Sequence, residues 1–277
     1  MMRLLILTLS TLTLGLSAFA VPAAAQGLIW KLPETDGTWI RYEGTYNQIV
    51  RRPDASEGDL TLEWRRNIEI KSVGVKQAQF RGEMQACRWI EFKIETGKSV
   101  EGILDAGPGG IRMYKILVPE SEVRGTLTAP TQDEGRTLFV SHIPFVEGYR
   151  KLGVEAEQKM ESGVFQLYPT VSLIRHYRNL QSSGTAQPVN VPAGTFNSTA
   201  YQGSTVMETA VERSTNSCEL YRSDETPFGV VKWTATTKKE QKGSVDPRSE
   251  FSESAIIREE LQAVSIGENA ESEFLVN

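Results

Sequence analysis

Between positions 60 and 71 the chain reads LTLEWRRNIEIK, and apolar residues take every second place. Leu60, Leu62, Trp64, Ile68 and Ile70 fall on one side; Thr61, Glu63, Arg65, Asn67, Glu69 and Lys71 fall on the other. Side chains alternate faces along a strand, so this period of two, rather than the 3.6 of a helix, specifies a strand with one dry face. Such half-dry strands assemble into antiparallel sheets. Only Arg66 breaks the apolar side. The same pattern recurs at 38–50, with Ile40, Tyr42, Tyr46 and Val50 opposite Arg41, Glu43 and Asn47. It recurs again at 79–95, where Ile90, Phe92 and Ile94 oppose Glu91, Lys93 and Glu95. A further strand is expected from Arg112 to Val118, entered through the Gly107–Gly110 turn and stopped by Pro119.

The middle of the chain changes character. Leu138, Phe139 and Val140 read as a short strand before the turn-rich IPFVEGYRK. Residues 170–181, TVSLIRHYRNLQ, are the best helix candidate: Thr170 can cap, and Val171, Ile174 and Tyr177 follow helical spacing. After a polar linker at 181–188, strands are expected at 191–203, 205–212, 217–222 and 229–237, and a last one at 255–266. The alternation of that last segment is broken by charge, which leaves a helix open there. The expected fold is mainly β, of α+β type: a strongly curved antiparallel sheet or half-barrel of nine or ten strands around one helix. Residues 26–277 form one domain, with a frayed tail from about residue 267.

The first residues specify a destination. Arg3 precedes an uncharged apolar run from Leu4 to Ala20, and Pro22-Ala23-Ala24-Ala25 follows. That is a charged region, an apolar region and a small-x-small cleavage site, the layout of a secretory signal peptide. Cleavage is expected between Ala25 and Gln26, delivering a soluble protein to the periplasm or the medium. No later stretch has the eighteen or so apolar residues that a spanning helix requires.

Composition narrows the partners. Formal charge is −5, and becomes −6 once the single charge of the leader, Arg3, is removed. Acidic and basic residues are interspersed and no basic block exists, so a nucleic-acid partner is disfavoured. The two cysteines, Cys87 and Cys218, have no metal-site or redox spacing. In an oxidising compartment they are candidates for one long-range disulfide, the alternative being two buried thiols. The two histidines, His142 and His176, lie far apart, and HExxH and GxSxG motifs are absent. No catalytic residue, metal ligand or cofactor site is expected.

Two stretches carry a resemblance: VPAGTF at 191–196 and SDETPFGVVKW at 223–233. Paired in this order they resemble uncharacterised exported bacterial proteins, planctomycete ones among them. Those proteins are similar in plan to the periplasmic lipoprotein carriers of the LolA/LolB type. The resemblance implies a curved antiparallel sheet folded round a helix, with an apolar cavity between them.

The function expected first is a non-catalytic exported binding protein, holding an apolar or lipid-like ligand on the concave face of the sheet. Its candidate pocket residues are Leu62, Trp64, Ile68, Ile90 and Phe92, with Trp89 in the same stripe. A structural or scaffolding envelope protein with a protein partner is the alternative, and a hydrolase of unrecognised type a third.

Overall fold

A computed structural model describes residues 24–25, 29–100, 103–107, 110–123, 139–140, 143–165 and 181–275. Their strands, in chain order, are β1 (Ala24–Ala25), β2 (Trp39–Val50), β3 (Leu60–Phe80), β4 (Glu83–Val100), β5 (Ile103–Asp105) and β6 (Ile111–Pro119). Short strands follow: β7 (Phe139–Val140), β8 (Ile143–Phe145), β9 (Gly148–Leu152), β10 (Gln158–Met160), β11 (Gly163–Phe165) and β12 (Gln181–Ser182). The last group is β13 (Gln187–Val191), β14 (Gly194–Glu208), β15 (Glu212–Arg222), β16 (Val230–Gln241) and β17 (Ser252–Gly267).

Thirteen of these strands make one open antiparallel sheet in the order β10-β9-β6-β4-β3-β2-β17-β16-β15-β14-β12, with β5 added to β4 and β13 to β14. The strand count exceeds the expected nine or ten because the turn-rich middle also pairs, in pieces of two to five residues. Among the described residues the only helical turns are single 3-10 turns at Glu120–Glu122 and Arg248–Glu250. The helix expected at 170–181 lies outside the described residues, except that Gln181 begins β12. The C-terminal segment 255–266, where a helix stayed open, is strand.

Antiparallel register places directly opposed residues on the same face, so the sheet's two faces follow from its pairings. Tyr42 opposes Ile68 and Ala263, Ile68 opposes Ile94, Ile70 opposes Phe92, and Leu220 opposes Trp233, which opposes Leu261. This is the core face. Ile29, Trp30, Phe145 and Phe228 pack onto it from outside the sheet. The Trp30 backbone N–H donates to the Phe228 carbonyl at 2.9 Å, and its ring stacks on Tyr201 at 5.7 Å. The Tyr42 hydroxyl donates to the Val230 carbonyl at 2.9 Å and its ring meets Trp233 edge-on at 5.0 Å. Two polar residues that interrupt the apolar stripes of separate strands are partners. Arg66 on β3 and Glu259 on β17 form a buried ion pair, and Glu259 also accepts from Trp233 Nε1 at 2.8 Å.

The C-terminal tail is strapped down rather than frayed. The Ala270 N–H donates to the Gly37 carbonyl at 2.8 Å, and Glu273 pairs with Lys71 at 2.6 Å and Lys93 at 2.8 Å. The buried Glu91 carboxylate accepts from Ser272 Oγ and from the Glu273 N–H, and Phe274 is buried.

Candidate functional site

The five candidate pocket residues share the core face, as their spacing implies. Ile68, Ile90 and Phe92 are fully buried and belong to the main core cluster. Leu62 and Trp64 lie further along β3, half-buried, with Tyr46 against Trp64 at 5.7 Å. Trp89 is not in this stripe. It faces the other way, in a second cluster with Cys87 and Leu117.

The cysteines are not joined. Both are free and buried, Cys87 in the second cluster and Cys218 in the main core. They occupy opposite faces of the sheet, on β4 and β15, with β3, β2, β17 and β16 between them. Five strand spacings amount to roughly 24 Å along the sheet, several times the Cα separation a disulfide spans. Burial pushes the Cys218 thiol up to about 12, so it is inert as a nucleophile. Ala25, the expected cleavage residue, is the second residue of β1, which pairs in parallel with β7. Gln26, His142 and His176 lie outside the described residues. Among the described residues no cluster of His, Cys, Asp and Glu has the arrangement of a metal site.

Three concavities lie on the face opposite the main core. Two rows of side chains cross the sheet there at right angles to the strands. One runs Tyr221, Lys232, Gln262, Glu43, Asn67, Glu95; the other runs Gln202, Glu219, Thr234, Glu260, Thr45, Arg65. Three cavities of about 580, 470 and 480 Å³ follow these rows from β14 to β4. The first two share Glu219 and Thr234; the last two share Glu43, Arg65 and Gln262. They form one trough.

Two hairpins wall it. Pro192, in the turn of the β13–β14 hairpin, borders the trough on one side. The next residue, Ala193, donates its N–H to the Ala263 carbonyl at 3.2 Å, where β17 bulges. On the other side β5 folds back on the end of β4 and brings Leu104 and Ile103 to the rim. Gly97 permits that fold: a Cβ there would strike the Asp105 carbonyl oxygen at 1.9 Å.

The trough's chemistry is mixed and polar. Arg41 pairs with Glu43 at 2.8 Å and donates to the Asn67 side-chain oxygen at 3.1 Å. Gln202 donates to Glu219 at 3.0 Å, and the Lys232 ammonium sits 4.5 Å from the centre of the Tyr221 ring. Burial, with Glu219 beside it, raises the Tyr221 phenol above its ordinary range. Three cations (Arg41, Arg65, Lys232) face four carboxylates (Glu43, Glu95, Glu219, Glu260), so the lining is close to neutral.

None of these residues stands out in the sequence, because each occupies the outward half of an alternating strand and reads as a solvated position. The signal available was the mixture itself: β2 and β3 carry Arg, Glu, Thr and Asn at successive outward places instead of one repeated charge type.

The two stretches that carry the resemblance meet in space. VPAGTF forms the β13–β14 turn, and SDETPFGVVKW forms a loop, buried from Thr226 onward, together with the first residues of β16. The Asn197 N–H donates to the Glu225 carboxylate at 3.0 Å, and Val189 and Phe196 pack on Val231. The second motif thus fixes the first, and with it the Pro192 wall of the trough. No family model, curated protein or solved structure matches the chain.

Proposed function

We propose that the chain is a non-catalytic, exported binding protein that holds an elongated polar ligand along the trough. The observation that carries this reading is the continuity of the three cavities across seven strands, from β14 to β4. A binding site concentrates orienting polar groups in a concavity, and here donors and acceptors of both signs line one. Export, with residues 1–25 removed, rests on the signal-peptide layout of the first residues.

A second reading keeps the apolar ligand. It is favoured by the half-buried Leu62 and Trp64, which extend the core face beyond the packed cluster. Native mass spectrometry of protein purified from its own host separates the two. The trough reading expects a co-purifying mass that disappears in Gln262→Trp, which fills the trough, and persists in Leu62→Ala. Loss in Leu62→Ala with retention in Gln262→Trp would favour the apolar site and sink the trough.

A further inference from the structure

We infer that the ligand of the trough is a neutral, linear oligosaccharide laid across the strands; this rests on the trough being the binding site. The donor pattern is the first argument. Glu43 and Glu260 can only accept, Arg65 can only donate, and Gln262, Asn67 and Thr45 do both. These groups alternate at one strand spacing in two parallel rows. Each row carries one cation (Lys232 or Arg65) and two carboxylates (Glu43 and Glu95, or Glu219 and Glu260), so a ligand with one sign of fixed charge would meet both attraction and repulsion along it. A hydroxyl donates one hydrogen bond and accepts others, so it can bridge an arginine and a carboxylate wherever the two approach.

Orientation is the second argument. The trough runs at right angles to the strands, and its floor presents side chains. An extended peptide binds to a sheet by adding its backbone to an edge, parallel to the strands, and the trough offers no such edge. Nucleic acid needs an excess of cations, and the lining has four carboxylates against three cations. The third argument is the wall. Pro192 and Leu104 are apolar borders to a polar floor. A pyranose ring is amphipathic in the same sense, with C–H faces and a hydroxyl rim, and is about as long as one strand spacing. Six spacings from β14 to β4 give roughly 29 Å along the sheet, the length of a hexasaccharide.

The test is calorimetric titration of the mature chain with neutral linear hexasaccharides (cello-, xylo-, malto-, laminari- and chitohexaose), hexagalacturonate and an extended decapeptide. At least one neutral hexasaccharide should bind, and its disaccharide should bind far more weakly. Arg65→Ala and Gln262→Ala should each weaken it roughly tenfold with unchanged melting behaviour, since each removes hydrogen bonds to the ligand. Binding of only hexagalacturonate or the decapeptide, weakened by Gln262→Ala, would overturn the neutral-saccharide assignment and leave the trough standing. Saccharide binding indifferent to Arg65→Ala, Gln262→Ala and Gln262→Trp would overturn both. No neutral saccharide bound at all would overturn the assignment.

Discussion

Arg66 and Glu259 show how single residues hold this sheet together. Each interrupts an otherwise apolar stripe, and each is explained by the other across β2. Gly44 of β2 faces Arg66 on one side and Leu261 on the other, and Tyr46 faces Glu259, so the pair reaches diagonally over β2; a Cβ on Gly44 would strike the Glu260 carbonyl oxygen at 1.8 Å. Removing one member of a buried pair leaves the other charge uncompensated, at about 3–5 kcal/mol. Glu259→Gln should therefore lower the unfolding free energy by about that much in urea melts, and Arg66→Met with Glu259→Gln should recover most of it. Additive losses in the double variant would contradict the pairing. Arg213 and Glu240 make a second pair, bidentate at 2.7 and 2.9 Å. The Arg213 guanidinium holds the Glu240 carboxyl down to about 2. A depressed carboxyl stabilises the fold above its unfolded-state value, and that contribution is lost as pH falls through its folded value. Melting midpoints of the native chain should thus fall more steeply between about pH 5 and pH 2 than those of Glu240→Gln. Parallel profiles would show that this pair adds nothing.

At the scale of elements, the strands were legible because each buries one face, and burial writes itself into the sequence with period two. Residues 255 to 263 of β17 alternate without fault once Glu259 is recognised as a buried partner of Arg66. That recognition was beyond the sequence, since the partner stands 193 residues away. The short strands β8 to β11 were illegible for a related reason: three to five residues contain too few alternations to define a period. The tail was misread because polarity suggested fraying. Ser272 and Glu273 are polar for a purpose, because they meet Glu91, Lys71 and Lys93. Burial pushes the Glu91 carboxyl above its ordinary range, and Ser272 and the Glu273 N–H draw it back. Deleting residues 268–277 should lower the urea midpoint, since burial of Phe274 alone is worth about 2 kcal/mol. An unchanged midpoint would mean that the strap is ornamental to stability.

At the largest scale, the described residues form an open sheet with its main core on one face; the other face carries a smaller apolar cluster and the grooved polar rows. The candidate site was invisible in sequence because it belongs to no segment. Glu43, Arg65, Glu219, Lys232 and Gln262 come from five strands, and only the register sets them in rows. The apolar pocket foreseen from Ile68, Ile90 and Phe92 drew on the same alternation, which marks core and cavity alike; packing distinguishes them, and these three are packed. The motifs at 191–196 and 223–233 acquire a role at this scale, locking the Pro192 wall against the sheet. The most direct measurement is a crystal structure of the protein purified from its own host with its ligand retained. Ligand density along Glu43, Arg65 and Gln262, crossing β17, β2 and β3, is the predicted result. Density against Leu62 and Trp64 on the opposite face, with the trough empty, would contradict the account.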